Sequence, residues 1–171
     1  MNDRTRTVRA RLLVLVLAAA TVPVAPALAE PSAATVERFF SILEARDRDA
    51  LVRLLDEDVT TVLPYTASGD TAPEAARTFE GRAATMGYFE GAMKRIEIIR
   101  FEKTRITPAQ DGHTVFTETR GDMRLANGRR YENLYVWRFE VEDGRIANIT
   151  EYFNPVTAAL AFGRPLGPEA D

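Results

Sequence analysis

The chain has no cysteine and a single histidine, His113. Without thiols it can form no disulfide, no thiolate nucleophile and no lipid-modified cysteine anchor. Thiolate and imidazole are also the usual ligands of zinc and the softer transition metals, so neither a metal centre nor another cofactor is expected. His113 follows Gly112 in a polar turn, where a solvent-exposed ring is expected. No Ser/His/Asp or Cys/His set assembles around it.

A long apolar run is missing too. The longest, Leu12–Ala20 (LLVLVLAAA), is far shorter than the roughly 20 residues that span a bilayer. Arg4, Arg6, Arg9 and Arg11 precede it, Pro23 and Pro26 follow, and Ala27-Leu28-Ala29 has the small-x-small pattern of a cleavage site. Residues 1–29 are therefore expected to be a signal peptide, with the remainder exported to the periplasm or the medium. Basic charge is then scarce. Without the four arginines and one aspartate of that segment, 18 basic residues face 24 acidic ones, a net charge of −6. Nucleic acid and an anionic membrane surface, which need a basic footprint, are excluded as expected partners.

What is present reads as helices first and strands afterwards, an α+β pattern in one domain over 30–162, with 163–171 as a tail. Ser32 is expected to cap a helix carrying Val36, Phe39, Phe40 and Leu43 on one side. Asp47 or Asp49 caps a second, with Leu51, Leu54 and Leu55. A short strand over 59–63 stops at Pro64, and 65–77 reads as a polar loop rimming a pocket. A helix over 82–95 sets Met86, Phe89 or Glu90, and Met93 at helical spacing, with Gly87 and Gly91 leaving room for close approach. Strands are expected over 96–106, 114–125, 129–142 and 145–153. Asn127-Gly128 and Asp143-Gly144 supply tight turns, and a short helix over 156–162 closes the domain.

This order, with the run YENLYVWRFEVEDGRIANITEYFN, resembles the SnoaL-like branch of the nuclear transport factor 2 superfamily over roughly residues 33–162. The resemblance implies a cone: a curved antiparallel sheet wrapped around the N-terminal helices, with a pocket at its wide end and dimerisation through the outer sheet face. Within that superfamily, ketosteroid isomerases use a helix tyrosine, an aspartate base before a proline and a strand acid. Those places fall here on Phe39, Leu63 and Tyr135, so the isomerase base is missing. Limonene-epoxide-hydrolase-like proteins use an Arg and an Asp two apart on one strand and a second Asp just before Tyr-Phe. Arg120, Asp122 and Glu151 match that pattern, with Glu in place of the last Asp, and Thr61 and Leu63 where the water-holding residues stand.

The resemblance thus implies Arg120, Asp122 and Glu151 as catalytic candidates, with Arg120 as partner of Glu151. Glu151 shares a strand face with Ala147, Ile149 and Phe153, and a carboxylate on so apolar a stripe is expected to be partnered. Period-two counting puts Glu118, Arg120, Asp122 and Arg124 on one face, which reads either as pocket lining or as a solvated, cross-paired surface. Phe40, Tyr65, Met86, Phe89, Met93, Tyr135, Trp137 and Phe153 are the candidate ligand-lining residues. Three readings stay open: a pocket for a small apolar molecule, a cofactor-free hydrolase or isomerase, and a homodimeric interaction module.

Overall fold

The computed structural model describes residues 29–66 and 72–166. The expected signal peptide, apart from Ala29, and the end of the tail lie outside them.

The first helix, α1 (Ala29–Ala45), buries Val36, Phe39, Phe40 and Leu43 as the spacing predicts. It starts earlier than Ser32, which sits inside it and donates its hydroxyl to the Gly112 carbonyl at 2.7 Å. Asp47 caps α2 (Arg48–Leu54) by accepting the Ala50 N–H at 2.9 Å. Leu55 does not end that helix but begins β1 (Leu55–Leu63).

The polar stretch after β1 is not all loop. A single 3-10 turn (Pro73–Ala75) leads into β2 (Arg77–Glu80), which pairs antiparallel with β1. Next comes α3 (Gly81–Arg95). The strand expected over 96–106 is broken in two, β3 (Ile96–Ile98) and β4 (Phe101–Pro108). Both pair with β5 (Thr114–Leu125), and the Arg100 carbonyl in the break accepts the Asp122 N–H at 3.0 Å.

β6 (Arg130–Glu142) and β7 (Arg145–Phe153) complete the expected antiparallel meander. Asp143 and Gly144 both take positive φ, 47° and 73°, as a primed hairpin turn requires. At the other hairpin only Gly128 does so, at 82°. There Gly128 N–H binds the Leu125 carbonyl and Leu125 N–H binds that of Arg129, the pattern of a three-residue loop closed by a left-handed glycine. Asn154 then caps α4 (Pro155–Phe162) by accepting from the N–H groups of Val156 and Thr157.

The sheet order is β2-β1-β7-β6-β5-β3, with β4 also on β5. The sheet is antiparallel except at β1–β7, which run parallel, and it curves without closing. The fold class is the expected α+β one. Phe39 of α1 plugs the interior, its ring edge-on to Phe40, Phe89, Trp137 and Phe139 at centroid separations of 5.1–5.6 Å. That plug is closely packed. The space left over lies between α3, α4 and the inner faces of β5–β7.

Candidate functional site

A cavity of about 450 Å3 fills that space, within the range of small-molecule sites. Its walls are largely apolar and include Leu63, Phe89, Met93, Ile99, Phe101, Met123, Trp137 and Phe153. The exposed lining residues, Arg77, Ala84, Gly87, Arg95 and Arg164, mark its mouth. On α3 the lining positions Ala84, Tyr88, Gly91 and Arg95 recur at intervals of four, three and four, one stripe of a helix. Gly87 looks onto open space, and at Gly91 a Cβ would lie 3.5 Å from the Arg95 guanidinium. Two glycines in mid-helix weaken α3 by roughly 1 kcal/mol each, and here they widen the cavity on its helical side.

Glu151 reaches the cavity from β7 and is only 5% exposed. Its Oε2 accepts the Tyr88 hydroxyl at 2.6 Å. Burial drives its carboxyl up from 4.5 to about 7, and the Tyr88 hydrogen bond, which favours the charged form, pulls the other way. Tyr88 itself is pushed well above its ordinary value, first by burial and then by the nearby Glu151. It therefore stays protonated and donating. At neutral pH the acid can both give and take a proton.

A second polar group lies on β6. The Tyr135 hydroxyl donates to that of Tyr131 at 3.0 Å, and Asn133 Nδ2 donates to the same Tyr131 oxygen at 2.9 Å. Both tyrosines line the cavity and both have raised pKa values because they are buried. With its oxygen accepting twice, Tyr131 has its own proton free for a ligand. Trp137 also lines the cavity, but its indole N–H is enclosed within the wall and has no acceptor among the described residues.

Gly121 makes the tyrosine arrangement possible. A Cβ there would sit 2.8 Å from Tyr135 Cε2 and 2.9 Å from Met123 Cε. Both distances are too short for any side chain, so the inner face of β5 is hollowed out at this residue.

The expected catalytic trio does not assemble. Glu151 is opposite Trp137, and Trp137 is opposite Thr117, so the inner face of β5 carries its odd-numbered residues. Arg120 and Asp122 are even-numbered and point outward, where Arg120 pairs with Glu132 and Asp122 with Arg130 at 3.0 Å. The Arg130 hydrogen bond holds the Asp122 carboxyl below its ordinary value. The solvated, cross-paired reading of that face is the right one, and the partner of Glu151 is Tyr88, not Arg120.

Five of the eight expected lining residues do line the cavity: Phe89, Met93, Tyr135, Trp137 and Phe153. Phe40 is instead part of the packed interior, edge-on to Phe101 at 4.9 Å. Met86 is buried on another side of α3, beneath a shallow outer groove with Arg82 and Glu90. Tyr65 is 51% exposed, with its ring against Tyr152 of the outer sheet face. Tyr88 was missed because the Met86–Phe89–Met93 stripe dominates the spacing in α3. The second stripe, Ala84-Tyr88-Gly91-Arg95, is the signal that locates it.

Comparison with known proteins matches residues 36–149 to the SnoaL-like domain family. The protein YesE of Bacillus subtilis (strain 168), uncharacterized in function, is 29% identical over 136 residues, covering 78% of this chain and 88% of its own. A solved Bacillus subtilis structure, provisionally named an isomerase, superposes with a TM-score of 0.69 at 26% identity, covering 80% of this chain and 96% of its own. A phenazine biosynthesis-related protein of Pseudomonas aeruginosa does so with a TM-score of 0.67 at 20% identity, covering 85% and 92%.

Proposed function

From the premise that this chain belongs to the SnoaL-like family, we propose that its cavity takes up a small, largely apolar molecule and that Glu151 exchanges a proton with it. The observation that carries this reading is a carboxyl buried on the wall of that cavity, bound to the Tyr88 hydroxyl and pushed up to about 7 by its burial. A general acid or base works best when its pKa lies near the operating pH.

The chemistry that fits is proton transfer next to a carbonyl, as in an isomerisation or a cyclisation. Charged Glu151 takes the proton from carbon, and the electron pair moves onto the carbonyl oxygen. The Tyr131 proton stabilises that oxygen. Neutral Glu151 then returns the proton at another atom. Tyr88 holds the carboxyl in place and tempers its basicity. The superposable Bacillus subtilis protein provisionally named an isomerase is in keeping with this class. An epoxide hydrolysis through Arg120 and Asp122 is not, since those side chains are turned away from the cavity.

The test is proton NMR in D2O with the purified protein and a panel of cyclic enones and β-keto esters. Catalysed deuterium uptake beside the carbonyl is expected, with its loss in Glu151→Gln. Uptake that survives that change removes Glu151 from the chemistry.

The outer sheet face supports a homodimer. Leu134 is 71% exposed there, beside exposed Phe116, Val136 and Tyr152 on the three strands of the meander. Apolar residues gathered on one open sheet face suit burial against a second copy of the chain. Export remains the reading of the N-terminal segment, and N-terminal sequencing of protein from the producing cells should find cleavage after Ala29.

A further inference from the structure

The mouth of the cavity carries three arginines that the proton-transfer reading does not use. Arg77, Arg95 and Arg164 all belong to the lining. None has a carboxylate partner among the described residues, whereas Arg120, Arg130 and Arg138 of the outer face are paired with acids. Their guanidinium groups lie against rings instead: Arg77 is 5.0 Å from the Phe79 centroid, and Arg95 and Arg164 are 5.9 and 5.7 Å from that of Phe162. Phe79 in turn stacks on Tyr88 at 5.0 Å. The rings hold the cations at the mouth without neutralising them.

We propose that this arginine mouth binds the anionic group of the ligand, a carboxylate-bearing molecule whose apolar body fills the cavity toward Glu151. This rests on the pocket reading above and names the class of molecule it takes.

Three observations support it. Like charges gathered without a counter-ion repel one another. Partial burial, and then Arg164 and Arg77, indeed lower the pKa of Arg95. A bound anion relieves that repulsion. Second, the arginines are not the counter-ions of the cavity acid: Glu151 is acted on by burial and by Tyr88, and by no guanidinium. The site is therefore polarised, with cations at the entrance and a proton-exchanging acid inside. Third, in a chain of acidic balance, β2, α3 and the segment after α4 each bring an arginine to the mouth of one apolar cavity. Guanidinium groups suit carboxylates because they offer paired N–H donors in a fixed plane.

Decanoate and 1-decanol have the same apolar chain and differ in the head group, so they separate the mouth from the cavity. Both are titrated into the full chain at pH 8, followed by fluorescence of its single tryptophan, Trp137, which lies in the cavity wall. Decanoate is expected to bind at least about tenfold more tightly, with that preference weakening in 0.5 M NaCl as screening requires. In a variant with Arg77, Arg95 and Arg164 all changed to Gln, the ratio of the two affinities should fall toward one. Arg95→Gln alone should lower it several-fold if the triple variant folds poorly.

Equal affinities in the unaltered chain, or a preference that survives the arginine changes, overturn the anion-binding mouth and leave the pocket standing. Failure of both molecules to bind overturns the pocket reading and this inference together.

Discussion

The Tyr88 hydroxyl on α3 and the Glu151 carboxylate on β7 meet at 2.6 Å across the cavity wall, joining a helix and a strand 63 residues apart. The bond favours the charged form of the acid, because a carboxylate oxygen is a stronger acceptor than the carbonyl oxygen of a neutral carboxyl. Tyr88→Phe should therefore raise the Glu151 pKa above 7. A hydrogen bond to a charged group is worth roughly 1.5–3 kcal/mol. The variant should lose about that much stability at pH 8 and less at pH 5, as read by urea denaturation at the two pH values. An equal loss at both would mean that the bond is insensitive to the charge on Glu151.

Glu151 also imposes a pH dependence on the whole fold. Its carboxyl has an ordinary value of 4.5 and rises to about 7 in the folded protein. Between those values the folded state holds a proton that the unfolded state has released. The contribution of Glu151 to stability is therefore full below about 4.5, falls as pH rises toward 7, and is lost above it. The linkage amounts to about 3 kcal/mol. Glu151→Gln should flatten that dependence and match or exceed the unaltered protein in stability at pH 8. A variant that is much less stable at pH 8 would make Glu151 a structural group whose charge the fold needs.

Gly121→Ala tests whether the hollow in β5 sets the place of Tyr135. The new methyl meets the Tyr135 ring at 2.8 Å, and that ring is hemmed in by Phe101, Trp137 and Phe153. Overpacking of this kind costs about 1–3 kcal/mol. Denaturation should register that loss, and binding of decanoate should weaken as Tyr135 is displaced into the cavity. An alanine variant as stable as the parent would mean that Met123 and Tyr135 yield freely.

The homodimer is tested at Leu134. A glutamate at this exposed position leaves the monomer fold intact and places two like charges at any two-fold sheet interface. Sedimentation should find a dimer for the unaltered chain and a monomer for Leu134→Glu. A monomer in both cases removes the sheet-face contact.

Much of this was legible in the sequence. The helical spacing of Val36, Phe39, Phe40 and Leu43, the Asp143-Gly144 turn and the three long strands fix the α+β frame through local rules. Glu151 was legible as well, as a lone acid on an apolar stripe. Its partner was not. Period-two counting assigns residues to faces of a strand but does not say which face of β5 meets which face of β7. Arg120 therefore read as near Glu151, although register sets them on opposite sides of the sheet. β2 was hidden because four residues with only one buried in part carry no alternation, and its pairing with β1 is a tertiary choice. The arginine mouth draws on β2, α3 and the segment after α4, three places that only folding brings together.

The central claim is a carboxyl inside the cavity that titrates near neutrality. Carbon-13 NMR of the protein labelled at glutamate side-chain carboxyls, with Glu151→Gln to assign the signal, measures it directly. The account predicts a midpoint for Glu151 near 7, moving when decanoate is added. A midpoint near 4.5 that ignores the added molecule would mean an acid in contact with water, and would contradict both the cavity and the proton exchange built on it.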